Sequence, residues 1–156
     1  MTPATVALAI PLYKQLEILK KNIKAILIGV LTSLGSVLLL SKLFGLDHST
    51  YVTLLPKSIT TAIGMGISQE LGGYVTISVA VIIITGILGN VIAVSFCRLL
   101  RIKSPVSRGL AIGTASHAIG TAKAMTMGEI EGAMSSLAIV VSGLMTVILA
   151  SFFAML

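Results

Sequence analysis

Charge is what this chain has least of: five acidic and eleven basic residues stand among 156, so charged residues make up 10% of the sequence against 56% hydrophobic. Soluble domains carry roughly 25% charge, and a mean hydropathy of +1.08 excludes that class and places the chain in lipid. Cysteine is nearly absent. With Cys97 alone, neither a disulfide framework nor a CxxC metal site can form within the chain. No Ser/His/Asp arrangement, phosphate-binding loop or metal-ligand spacing is present, so the expectation is a non-enzymatic protein without cofactor or metal. A cleavable signal peptide is not expected either, because Pro3, Pro11 and Lys14 stand where a basic tip and an apolar core would be needed. The net charge of +6 does not point to nucleic acid, since the basic residues gather at the ends of apolar runs, where membrane topology puts them.

Long apolar runs are what the chain does have. Leu71 to Cys97 holds no charge over 27 positions and Gly132 to Leu156 none over 25. Each exceeds the ~20 residues that cross the hydrocarbon core as a helix. Ala25 to Ser41 is uncharged over 17 positions, and extension past a snorkelling Lys42 to Leu46 completes a third crossing. The expected spans are therefore 25–46, 71–97 and 132–156, with a partial helix over 3–20, in one membrane domain covering 1–156. Lys14, Lys20, Lys21 and Lys24 precede the first span, and Arg98, Arg101, Lys103 and Arg108 follow the second. The positive-inside rule makes both clusters cytoplasmic.

That topology creates a conflict at two segments. The first span leaves the chain outside near Asp47 and His48, and the second must start outside, so residues 51–70 have to enter and leave on one side. Pro56 interrupts a helix there, Lys57, Ser58, Thr60 and Thr61 add polarity, and Gly64 and Gly66 are expected to permit the reversal. Residues 109–131 face the same requirement from the cytoplasmic side, with a break expected beside Gly120. Irregular backbone at membrane depth needs protein or a water-filled cavity to satisfy it. An offset of 60 residues relates the two segments: Ile59, Thr61, Ala62, Met65, Gly72 and Val81 meet Ile119, Thr121, Ala122, Met125, Gly132 and Val141, six identities in 23 positions. The predicted fold is thus all-α, a polytopic helical membrane protein with inverted repeats, each a re-entrant or broken helix plus a transmembrane helix. Secondary transporters share this architecture and bind solutes where half-helix ends meet.

Two such hairpins offer an anion site, because helix N-termini present unpaired amides and a positive dipole end. Lys57 and Lys123 supply charge, Ser58, Thr60, Thr61, Thr114, Ser116 and Thr121 supply hydroxyls, and His117 supplies a group able to exchange a proton. Plainer roles stand beside these. Lys57 can snorkel to the surface, Lys123 can pair with Glu129 or Glu131, and the hydroxyls can bond their own helix carbonyls. Intramembrane His and Lys are costly, about 2.5 to 3.5 kcal/mol for a charge at the centre on insertion scales, and their clustering in two related segments favours the site.

The string from Gly113 to Ala122 (GTASHAIGTA), followed by Glu129 to Ala138 (EIEGAMSSLA), resembles the LrgB/CidB family. Leu55 to Thr61 (LPKSITT), Thr85 to Gly89 (TGILG) and Pro3 to Ala9 (PATVALA) are similar to further motifs of that family, so the likeness runs along essentially the whole chain. It implies a multi-pass protein of the bacterial inner (plasma) membrane, antiholin-like, linked to control of murein hydrolase activity and autolysis, and usually encoded beside a smaller LrgA/CidA-type partner. Some relatives carry small carboxylates, pyruvate in bacteria and glycolate or glycerate in the plastid envelope. Family members normally have further helices before the Pro3 motif, so the chain resembles their C-terminal part. Ala62 stands where the family often has proline and Lys123 where it often has arginine, which keeps charge but loses a bidentate fork. The last span lacks the family's late proline.

Two functions are expected to compete. One is a small-carboxylate carrier component closing its hairpins around the anion. The other is an antiholin-like regulator that acts by helix association with its holin-like membrane partner, through close-packed faces at Gly86, Gly89 and Gly143, and under either reading a homo- or hetero-oligomer is expected.

Overall fold

The computed structural model describes residues 16–156, and every regular element among them is helical. The expected partial helix over 3–20, like the Pro3 motif, lies outside the described residues up to position 15. In chain order the helices are α1 (Leu16–Phe44), α2 (His48–Leu54), α3 (Thr61–Glu70), α4 (Val75–Leu99), α5 (Pro105–Met127) and α6 (Glu129–Ala154). Three stretches, Lys20–Phe44, Val75–Leu99 and Glu129–Ala154, are long and apolar enough to cross a membrane. They fall within a few residues of the expected spans, and at the end of the first and the start of the second the displacement traces to a helix cap.

Three of those caps share one chemistry. α1 closes where Gly45, at φ 62°, lets its N–H reach the Lys42 carbonyl and the Leu46 N–H reach that of Ser41. The same pair of bonds ends α3, with Gly72 at φ 79° and Gly73 N–H donating to Ser68, so α4 starts at Val75 rather than at Leu71. It recurs after α4, where the left-handed position is held by Arg101 at φ 54° and the Ile102 N–H donates to the Cys97 carbonyl. These bonds satisfy carbonyls that a helix end would otherwise leave open. At the other ends, Asp47 caps α2 by accepting from the Thr50 N–H, and Ser104 caps α5 ahead of Pro105. The Thr50 side-chain hydroxyl and then its amide hold the exposed Asp47 carboxyl below its usual 3.8.

α5 is a hairpin. Its helical path breaks at Ser116 (φ −132°, ψ 15°) and His117 (φ 41°, ψ −144°). Before the break it runs parallel to α6: a Cβ on Gly109 would lie 2.5 Å from the Glu131 carbonyl oxygen, and one on Gly113 would lie 2.8 Å from the Ala138 Cβ. After the break it runs back, with Thr121 Oγ1 2.6 Å from Ser135 Oγ and Met125 seated on Gly132. Arg108, at the way in, pairs with Glu131, beyond the way out, at 3.7 Å. α2 and α3 make the other hairpin on α4. Ser78 Oγ donates to the Thr53 carbonyl at 2.8 Å and stands 2.7 Å from Ser68 Oγ, which must be the donor of that second bond. Further along, Gly64 seats Ile82. The pairs Thr53 with Ser78 and Gly113 with Ala138 are related by the 60-residue offset read in the sequence. The hairpins enter from opposite ends, because Tyr51 donates to the Phe153 carbonyl at the C-terminal end of α6 while Arg108 meets its N-terminal end.

The helix is interrupted at Pro56 as expected, but the turning points differ from those expected at the glycines. Gly64 and Gly66 lie inside α3, and the first reversal occupies residues 55–60, around Pro56. Gly120 lies inside the returning arm of α5, where it makes room for Ser116 and Ile112.

Ile26, Val30, Leu34 and Val37 form the buried stripe of α1 and pack with Val52, Leu55, Leu110, Met134 and Leu137. The opposite faces carry large exposed apolar side chains, among them Leu39, Ile84, Val91 and Ile148, as a lipid-facing surface requires. Helix association in lipid gains little from apolar transfer, so close packing and hydrogen bonds hold this arrangement. Gly113→Ala is accordingly expected to cost about 1 to 3 kcal/mol by overpacking against Ser135 and Ala138. Gly35→Ala, with nothing within 4 Å of its added Cβ, is expected to be neutral or to stabilise by up to about 1 kcal/mol. Unfolding of both variants in one detergent system checks the contrast.

Candidate functional site

The tips of the two hairpins meet at the middle of α1. A Cβ on Gly29 would lie 3.2 Å from Thr114 Oγ1, and one turn later Ser33 Oγ donates to Ser58 Oγ at 3.1 Å. Both positions fall near the centre of the Lys20–Phe44 stretch. At the first tip Lys57 Nζ donates to Ser58 Oγ at 2.9 Å and reaches Ser33 Oγ at 3.4 Å. Lys57 is half-buried rather than snorkelled to the surface, and no carboxylate partners it among the described residues. Thr60, three residues after Lys57, opens α3 without a side-chain cap, so its hydroxyl takes up none of the first amides of that helix.

The second tip is pinned by side chains. His117 is buried and its Nε2 lies 2.8 Å from the Ile82 carbonyl. A carbonyl only accepts, so Nε2 carries a proton in this contact. Gly86 makes the approach possible: a Cβ there would lie 2.5 Å from the imidazole Cε1. Gly89 likewise seats the Ser116 side chain. Asn90 Nδ2 donates to the Ile119 carbonyl at 2.7 Å, and Thr121 Oγ1 stands 2.9 Å from the His117 carbonyl.

The site residues expected from sequence therefore divide. Lys57, Ser58, Thr60 and Thr61 surround the first tip, and Thr114, Ser116 and His117 the second. Thr114 spends its hydroxyl on the Leu110 carbonyl at 2.8 Å, and Thr121 spends its own between His117 and Ser135, which is the plainer role foreseen for both. Lys123 lies six residues past the bend, about 9 Å along the returning arm. Neither Glu129 nor Glu131 pairs with it among the described residues; Glu131 takes Arg108 instead. The expected partner faces at Gly86, Gly89 and Gly143 are also corrected, since these glycines are filled within the chain by His117, Ser116 and Ile63. Sequence reading missed Ser33 and Asn90. Their signal was polarity inside an apolar run, near the middle of a span in both cases.

The clamp on His117 is testable by a double-mutant cycle. Gly86→Ala displaces the imidazole from Ile82 and is expected to cost about 1 to 3 kcal/mol of stability, as a buried hydrogen bond and its packing are lost. Combined with His117→Ala, the cost is expected to fall short of the sum by at least about 0.5 kcal/mol, measured by unfolding in detergent.

The LrgB-like family model matches residues 1–156. The chain is 40% identical to the antiholin-like protein LrgB of Bacillus mycoides (strain KBAB4) over 98% of its own length and 68% of the relative's. Identity and coverage are the same for the antiholin-like LrgB proteins of Bacillus cereus (strain B4264) and Bacillus anthracis (strain CDC 684 / NRRL 3495). No solved structure matches. A full-length family match, together with 40% identity to proteins that carry the same name, means that the chain belongs to the LrgB-like family.

Proposed function

We propose that the chain is a component of a plasma-membrane carrier for small carboxylates, with the anion held where the two hairpin tips meet on α1. One observation carries this reading: the Lys57 ammonium sits half-buried at mid-depth, bonded to the hydroxyls of Ser33 and Ser58 and to no acidic group among the described residues. A fixed charge kept there without a counter-ion favours an anionic guest. The uncapped start of α3 adds amide donors and the positive end of a helix dipole. Opposed hairpins meeting at the centre are the arrangement in which carriers alternate access. His117 acts as the pivot that fixes the second tip, and Lys123 adds a more distant positive charge.

The relatives' name favours a second reading, in which the chain regulates a holin-like partner of LrgA/CidA type without transport of its own and thereby affects murein hydrolase activity. The surface it offers is the outward ridge of α4 at Ile84, Leu88 and Val91, each at least half exposed.

Uptake of labelled pyruvate and glycolate into vesicles, with and without the partner, separates the two. The carrier reading expects uptake that Lys57→Gln lowers about 10- to 100-fold, the equivalent of one lost charged hydrogen bond, while a neutral amide analogue is unaffected. Lys123→Gln is expected to do less. Unchanged carboxylate uptake in Lys57→Gln contradicts the assigned site, and absence of uptake with and without the partner favours the regulator.

A further inference from the structure

Between α4 and the ingoing arm of α5 lies a groove of about 250 Å³ that neither hairpin tip fills. Ile92, Ala93, Phe96 and Ile112 give it apolar walls, Ser116 and Gly89 close its deep end, and Cys97 and Ile102 stand at the other. From Gly89 to Cys97 is about 12 Å along a helix. That approaches the ~15 Å depth of one leaflet's hydrocarbon, half of a ~30 Å core. The groove thus runs from mid-depth toward the end of the molecule where α4 stops.

That end is basic. Arg98 adjoins Cys97, Arg101 and Lys103 flank Ile102, and all three are exposed. None has an acidic partner among the described residues, because Glu131 is taken by Arg108, whose Nε also donates to the Ile102 carbonyl at 2.7 Å. The cap that ends α4 holds Arg101 at φ 54°, a backbone position that costs an L-residue about 1 kcal/mol and that glycine fills freely. A deep apolar slot with free cations at its mouth matches an amphiphile with an anionic head and a hydrocarbon tail, and such basic sites between membrane helices take phospholipid headgroups.

We propose that this groove is a docking site for one anionic glycerophospholipid, its acyl chain lying along α4 toward Ser116 and its phosphate at Arg98, Arg101 and Lys103. A zwitterionic lipid fills the slot equally well but presents no net negative charge to these cations. The site therefore selects by headgroup and holds by the chain.

Native mass spectrometry of the purified chain, offered equimolar phosphatidylglycerol and phosphatidylcholine, tests this. The expected result is one retained phosphatidylglycerol, favoured about tenfold. The triple variant Arg98→Gln, Arg101→Gln, Lys103→Gln is expected to lose the preference while still retaining lipid. Ala115→Phe or Ala111→Phe, at exposed positions lining the groove, is expected to lower retention of both lipids without unfolding the chain, checked by circular dichroism. Equal retention of the two lipids by the unaltered chain overturns the proposal, as does a preference that survives the triple variant. Undiminished retention in both folded groove-filling variants removes the acyl slot, and full displacement of the lipid by glycerol 3-phosphate shows a headgroup site alone and overturns it as well.

Discussion

A backbone that turns back within a hydrocarbon layer has no water to steady it, and the rest of this structure follows from how the bend at Ser116 and His117 is held. The His117 imidazole reaches the Ile82 carbonyl, Asn90 reaches the Ile119 carbonyl from the same helix, and Thr121 closes on the His117 carbonyl from within the hairpin. Together they fix the bend against α4 at one height. The opposite bend is held at the same depth by hydroxyls and one ammonium, through Ser33 on α1. The first tip is thus attached to α1 and the second to α4, and the two halves of the chain are joined through these attachments.

Small residues do the complementary work. In lipid, helices gain little by hiding apolar surface from one another, so what they gain depends on close approach. Gly109 and Gly113 let the ingoing arm of α5 lie against the α6 backbone, and Gly86 and Gly89 let α4 receive the second tip. A run of glycines in a membrane sequence invites assignment to a dimer face. Here the faces are consumed internally, and the surface that remains for a partner or for lipid is bulky and aliphatic.

The three long helices were legible because uninterrupted apolar length is a strong signal, and the two hairpins because charge at the span ends left no other topology. The 60-residue offset was legible too, and the pairs Thr53 with Ser78 and Gly113 with Ala138 show it in contacts. The positions of the bends were not. Pro56 marks the first interruption in sequence and structure alike, but the glycines expected to reverse the chain, Gly64, Gly66 and Gly120, lie inside helices, and the reversals fall at Pro56 and its neighbours and at Ser116 and His117. A left-handed histidine carries no local sequence signal, since what allows it is a contact 35 residues away with Ile82. The division of the candidate site has the same origin: whether a threonine hydroxyl faces a guest or its own helix carbonyl depends on rotamer and neighbours, which composition does not encode.

The central claim is that both bends lie against the middle of α1, one turn apart. A Cβ at Gly29 would stand 3.4 Å from the Thr114 Cβ, close to the roughly 3.5 to 4.5 Å between the Cβ atoms of a disulfide, and the Ser33 and Ser58 hydroxyls touch at 3.1 Å, so cysteines in their places start with their sulfurs side by side. In a Cys97→Ser background, the pairs G29C with T114C and S33C with S58C are each expected to cross-link on mild oxidation in membranes, while G29C with S151C, an exposed position near the end of α6, is not. Failure of both tip pairs, with the variants folded and their thiols reactive, contradicts the meeting of the hairpins and the site built on it.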